Sequence, residues 1–360
     1  MRVIFKNSDE KEFTSKWNEY IDKNIVSYKY LQDYLLYMTQ YSSYIIDDKS
    51  FVIVDENRCV SICYLPIENY DGNNFVSLAK NYTISPLSSE KSAQRFSFKI
   101  IDDIARELKI SKIKFYLDPL VVQYLDKFNS LKEYGYIDSS SSDCILDLRK
   151  PINILWKNLR KSYKSLINGI IKSNEYQLVI VDKNNPDYDL HEMYRKMHEK
   201  CSGRVTRKKE TFNAQYRLLL NGNATLIGLN YNGKFIGFNY FFHFKKTLVY
   251  ASGADDPDYE SKKISIYHAI LWKSTMHFKE KDFDFIQYSQ PSGFSVINGF
   301  DDYLDQKQIN ISHFKRGMGT QMVTLFRGIK YFDNDLLIKD IEFFKNTVIN
   351  NIQFIKNQNN

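Results

Sequence analysis

One order of elements occurs twice along this chain, and that repetition limits the fold more than any single motif does. In the second half, Asn223 to Asn230 reads as a strand, Asn232-Gly233 is a type I′ hairpin signal, and Lys234 to Phe244 is the returning strand. Thr247 to Ser252 adds a third strand. Lys262 to Lys281 carries apolar residues at helical spacing, and Phe283 to Tyr288 reads as a buried strand. A strand at Gln177 to Val181 precedes this run, followed by helices over Tyr188 to Cys201 and Lys208 to Asn221. The first half repeats the order more faintly. Helices are expected over Asp9 to Ile21 and Ser27 to Tyr37, then strands at Phe51 to Val54, Arg58 to Leu65 and Asn74 to Leu78. A helix over Glu90 to Leu108 and a strand at Lys112 to Leu117 complete the copy. No residue-level repeat accompanies the pattern. The expected class is α/β (α+β), as two tandem domains, each a mostly antiparallel twisted sheet flanked by helices. The halves are placed at 1–150 and 151–332, with a helical tail over 333–360.

Length and composition suit two domains. A chain of 360 residues exceeds what one core usually fills, and 15% aromatic residues, with 27 Tyr and 25 Phe, supply core material. No apolar run is long enough to cross a bilayer and the start lacks a signal-peptide pattern, so a cytoplasmic protein is expected. Cys59, Cys63, Cys144 and Cys201 lack metal-site spacing, and the six His form no paired-ligand motif, so no metal is expected.

Charge placement says more than the net +7. From Leu148 to Asn174 there is no acidic residue. If Ile154 to Ile171 is one helix, Lys157, Arg160, Lys161 and Lys164 share a face, a basic stripe suited to phosphate or nucleic acid. A solvated helix face is the plainer alternative. Arg204 and Arg207, in Ser202-Gly203-Arg204-Val205-Thr206-Arg207, present two forked donors for a phosphate or carboxylate. The competing reading is an ordinary helix start at Thr206. A third cluster, Phe314-Lys315-Arg316-Gly317-Met318-Gly319, follows an expected strand at Gln308 to Ser312 and reads as a glycine-bearing turn beside two cations.

These segments, with Trp156 to Lys161 and Tyr250-Ala251-Ser252-Gly253-Ala254, resemble the FemAB-like branch of the GNAT acyltransferases, in which paired GNAT domains attach aminoacyl or acyl groups to amines of cell-envelope precursors. The resemblance covers most of the chain in arrangement, while its motifs lie between Trp156 and Gly319. It implies that Lys315 faces substrate phosphate or the forming oxyanion, with Met318 in place of the family's second Phe. It also places Tyr250 and Ser252 at the cleft where GNAT strands splay, with Arg204, Arg207 and Arg316 toward the acceptor. His198, beside the basic loop, is the general-base candidate. Lys157, Arg160, Lys161 and Lys164 become the donor surface.

The departure from a coenzyme-A-binding GNAT is the absence of its glycine-rich turn, which would hold pyrophosphate at a helix N-terminus. The equivalent stretch, Ala254 to Ser265, carries Asp255, Asp256, Asp258 and Glu260 and no glycine. The donor is therefore expected to be aminoacyl-tRNA or acyl-CoA, with no tightly bound cofactor. The implied partners are a nucleotide- or lipid-linked amino-sugar or muropeptide acceptor, with tRNA and a membrane surface as further candidates and DNA not among them. Two other readings stay open: an acyl-CoA-dependent N-acetyltransferase acting on an amino sugar for surface polysaccharide, and a non-catalytic RNA-binding protein on a decayed GNAT pair. Tyr267, Trp272 and Phe294 are aromatic candidates for stacking on a sugar or base.

Overall fold

The computed structural model describes residues 1–125, 127–262, 264–289 and 306–358; Phe294 lies outside them. The second half is organised around a seven-stranded sheet in the order Tyr176–Val181, Ala224–Tyr231, Lys234–Phe244, Thr247–Asp255, Phe285–Gln287, Ser141–Asp147, Gln321–Leu325. The first half divides its strands between a four-stranded sheet containing Phe51–Asp55 and Arg58–Cys63 and a seven-stranded one built on Ile110–Tyr116. Parallel steps are few: Phe285–Gln287 beside Thr247–Asp255 in the second half, and Ile110–Tyr116 beside Asn73–Val76 and Thr83–Ile84 in the first. The expected mixed class of mostly antiparallel, helix-flanked sheets forms, but as three sheets, the first half's strands being divided between two.

Local chemistry explains where helices begin and end. Asp9 caps Glu10–Lys23 by accepting from Glu12 N at 2.9 Å, and Asp187 caps Tyr188–Ser202 through Leu190 N at 2.9 Å. The latter helix stops at Gly203, whose φ of 67° is cheap only without a Cβ. At the hairpin, Asn232 and Gly233 take φ of 48° and 85°, as a type I′ turn requires.

The halves are sewn together rather than abutted. Ile137–Asp138 pairs with Arg327–Tyr331 in the first half's sheet, and Ser141–Asp147 pairs with Gln321–Leu325 in the second's. The partner pairs Ile137↔Ile329, Ser141↔Leu325 and Ile145↔Gln321 keep one unbroken register. A single antiparallel ribbon thus runs through both sheets. Tyr28 of the first half stacks on Phe242 of the second (ring centroids 5.6 Å, planes 11° apart). Such a pair adds about 0.5–1.5 kcal/mol beyond its buried area. Lys245 reaches across to cap the helix Glu10–Lys23, donating to Ile21 O and Asn24 O at 2.5 and 2.7 Å.

Two expectations fail. Ile154 to Ile171 is not one helix: Ile152–Asn158 and Lys161–Ile171 are separated by Leu159 and Arg160 in extended backbone (ψ 142° and 138°). Four like charges on one helical face would repel, which disfavours a continuous helix there. Lys164 Nζ caps Lys157 O at 3.0 Å, and Arg160 N binds Gly317 O at 2.9 Å. Gln308 to Ser312 is not a strand but part of the helix Gln306–Gly317. Its five-residue alternation is too short to specify a strand, and packing against Lys161–Ile171 decides. Gly317 permits that packing, since a Cβ there would stand 2.4 Å from the Tyr163 ring. Gly317 therefore serves helix contact, while Gly319, at φ 82°, lies in the turn that follows the helix.

Candidate active site

Thr247–Asp255 stays paired with Phe285–Gln287 for only three residues, ending at Val249↔Gln287. On its other edge a bulge lets Tyr240 face Ser252 and Phe241 face Tyr250, leaving Ala251 over. The bulge bends the strand where the parallel pairing ends. Tyr288 N turns instead to Cys144 O, at 2.8 Å. A wedge opens between the two strands, and among the described residues nothing pairs with the free edge beyond Val249.

Tyr250 is the first residue in that wedge. Its ring packs on Phe241 and Tyr288 (5.8 and 6.1 Å between centroids), and Lys315 Nζ lies 5.6 Å over it. Lys315 is 8% exposed, and burial pulls its ammonium down to about 8, opposed by the charge of Asp143. Asp143 is fully buried, which raises its carboxyl; it accepts from Gln287 Nε2 at 2.5 Å and Cys144 N at 2.6 Å. Gln287 Oε1 in turn accepts from Lys29 Nζ at 2.9 Å, and Lys29 pairs with Asp118 at 2.6 Å. Polar groups from both halves thus stand behind Lys315. Sequence reading missed Lys29, Asp118, Asp143 and Gln287. Their signals were faint: a lysine between two tyrosines, a carboxylate at the start of a four-residue helix and another inside a strand.

The other candidates fall on the opposite face of the sheet. Ser252 Oγ and Tyr194 OH are 2.5 Å apart, and Arg207 donates to Tyr194 OH at 3.3 Å and Tyr37 OH at 3.0 Å while lying over Phe212. Arg207 is therefore committed to the packing between the halves, whereas Arg204 is exposed. His198 packs edge-on against Tyr194 and Phe212, with Nδ1 3.3 Å from Thr206 Oγ1. Burial and the neighbouring Arg207 push it down to about 4, so it is neutral and a weak base at pH 7.

The two groups of residues meet around the strand's free edge. Asp255 Oδ1 accepts from Tyr267 OH of one helical layer at 2.7 Å and from Cys201 Sγ of the other at 3.1 Å. A cleft of about 690 Å³ opens there, lined by Asp255, Ser265, Tyr267, His268, Asn310 and Phe314. It abuts the start of helix Ile266–Glu280, where Ser265 makes no side-chain cap. Asp256 and Asp258 both pair with Lys200, at 2.5 and 2.6 Å, and Lys234 also reaches Asp256 at 3.4 Å. Trp272 is packed against Trp156 in the core.

The two basic segments become one surface. Arg160 donates to His313 O at 3.0 Å and stands at the C-terminal end of helix Gln306–Gly317, where a cation is favoured. Lys157, Lys161, Lys164 and the exposed Arg316 surround this joint, on the helix that carries Lys315.

The fold, with its wedge, is GNAT-like. No family model and no curated protein matches the sequence. Among solved structures the chain is similar to FemX, at 11% identity over 93% of this chain and 98% of that one, with a TM-score of 0.61. It is similar to L-PGS from Bacillus licheniformis (12% identity, 83% and 88% covered, TM-score 0.52). A tandem GNAT protein from the clavulanic acid biosynthesis pathway also matches (9%, 92% and 98%, TM-score 0.50). The FemAB-like resemblance carried by the motifs therefore holds at the level of fold.

Proposed function

We propose that the protein is an aminoacyl- or acyltransferase that forms an amide on an amino group of a cell-envelope glycan or peptidoglycan precursor. Lys315 supports this most directly: a buried ammonium at the mouth of the strand wedge, held over Tyr250 with a carboxylate behind it. A neutral amine attacks the activated carbonyl, the C–N bond forms, and negative charge develops on the carbonyl oxygen. A fixed ammonium in a water-poor site stabilises that charge and costs no reorganisation. When the intermediate collapses, the C–O or C–S bond to the carrier breaks and the amine's proton leaves with the carrier.

Aminoacyl-tRNA is the donor that the surroundings favour. The cleft at helix Ile266–Glu280 presents Asp255 where a coenzyme A pyrophosphate would need backbone N–H groups, and the basic joint around Arg160 offers a path for a polynucleotide backbone. Calorimetry of the full chain with acetyl-CoA, and with tRNA at two salt concentrations, tests the donor. Salt-sensitive tRNA binding without acetyl-CoA heat is expected; micromolar acetyl-CoA binding points instead to the amino-sugar acetyltransferase. Transfer itself is tested with Lys315→Ala, which is expected to slow turnover more than about tenfold. Unchanged turnover removes Lys315 from the site.

A further inference from the structure

The polar groups behind Lys315 form a chain that begins in the first half. Lys29, in the short helix Tyr28–Tyr30, pairs at 2.6 Å with Asp118, which caps Pro119–Val122. Asp118 also accepts from Ser27 Oγ and, at 3.1 Å, from Leu120 N. Lys29 Nζ donates onward to Gln287 Oε1 at 2.9 Å, and Gln287 Nε2 donates to Asp143 at 2.5 Å. Gln287 is the last residue of its strand to pair before the wedge opens. The four charged groups, Lys29, Asp118, Asp143 and Lys315, are each at most 8% exposed.

Two buried cations and two buried anions are a poor device for stability, since apolar side chains of like volume serve as well or better. Such a set can, however, fix a direction. An amide has an accepting end and a donating end, whereas an ammonium can only donate. Facing Lys29, Gln287 must present Oε1, and that turns Nε2 toward Asp143. Cys144 N meets the other carboxyl oxygen at 2.6 Å. Both oxygens of Asp143 thus face donors, which favours the carboxylate over the acid. Among the described residues, none accepts a hydrogen bond from Lys315 Nζ, so the charge of Asp143 reaches it through space.

We infer that Lys29, with Asp118 and Gln287, is a positioning group for the transfer centre: from the first half, it sets the Gln287 amide so that Asp143 stays a carboxylate and Lys315 an ammonium. Lys29 touches no reacting atom. The inference rests on Lys315 as the working cation of the proposed transfer, and it gives the first half a part in chemistry that takes place on the second half's strands. The other titratable groups around the chain are the Cys144 thiol and the phenols of Tyr250, Tyr28 and Tyr116, each raised by burial and so neutral near pH 8. Arg316, the neighbouring cation, is exposed.

Titration of Lys315 in the full chain by NMR tests this without an assay of turnover. With lysine Cε isotopically labelled and the Lys315 signal assigned by its loss in Lys315→Arg, the midpoint is expected at about 8. Lys29→Met/Asp118→Asn removes one charge of each sign, so their direct fields on Lys315 largely cancel, while the new amide keeps an oxygen for Leu120 N. With the Gln287 amide free to turn, the midpoint is expected to fall by about half a unit or more. Gln287→Met alters no charge, is close in volume and should lower the midpoint at least as far; it carries the test if the double variant does not fold. In both variants kcat/KM should begin its fall at correspondingly lower pH. A midpoint unchanged or raised in either folded variant overturns the inference. A lowered midpoint beside turnover indifferent to Lys315→Ala would instead uphold the coupling and overturn the transferase reading.

Discussion

Lys315 is under two opposed demands: burial favours the neutral amine, while Asp143 favours the ammonium. With its pKa drawn down to about 8, it is mostly charged at pH 7 and loses its proton within reach of ordinary assays. If the ammonium is the working form, kcat/KM falls as pH rises through about 8. Asp143→Asn removes the opposing carboxylate and should move that fall to lower pH, a displacement that damage to packing alone would not produce. A pH–rate profile of the two proteins checks this, and superimposable profiles would separate Asp143 from Lys315. Around the basic joint, Arg160 is committed to His313 and Gly317, whereas Lys157, Lys161 and Arg316 are exposed. Replacing those three by Glu should abolish salt-sensitive tRNA binding with little change in melting temperature; retained affinity would reduce the joint to solvated surface.

At the scale of elements, the contact between Gln306–Gly317 and Lys161–Ile171 depends on a missing side chain. Gly317→Ala sets a methyl 2.4 Å from the Tyr163 ring and should cost about 1–3 kcal/mol in a thermal melt. Tyr163→Ala in the same chain should recover part of it. Elements with strong periodicity or turn chemistry were legible in the sequence: the hairpin at Asn232-Gly233, the helix Lys91–Glu107 and the strand Lys234–Phe244 all form close to expectation. Short strands such as Pro66–Tyr70 and Ile137–Asp138 were not, because two to five residues carry no usable period and their identity comes from partners distant in sequence. The site divides similarly. Lys315 and Tyr250 drew attention through local motif, and the fold sets them side by side. Asp143, Gln287 and Lys29 act together only because three remote segments converge. Arg207 looked free because its two hydroxyl partners come from other elements.

For the whole molecule, acid should be destabilising. His191, His198 and His243 are each pushed down to about 4, with burial as the first cause. Unfolded, each titrates near 6.5, so between pH 6.5 and 4 the unfolded chain binds more protons and folding stability falls as pH falls. The melting temperature at pH 5 should lie below that at pH 7 by several degrees; a flat profile would show that the imidazoles are hydrated. The ribbon joining the sheets bears on how such a chain is made. Ile137–Asp147 is synthesised early, but its partner Gln321–Tyr331 follows only after nearly the whole second half. The first half's sheet therefore keeps one edge of Ile110–Tyr116 unpaired, and the second half's sheet lacks its outermost strand, until the same late segment arrives, and closing so long a loop makes that step slow. Ribosome-bound chains halted before Gln321 should be cut readily by protease in both halves, and those halted well beyond Tyr331 in neither. The two sheets thus share one late-made strand pair, and the first half's sheet gains its Arg327–Tyr331 strand only after the residues of the wedge that holds Lys315 have been made.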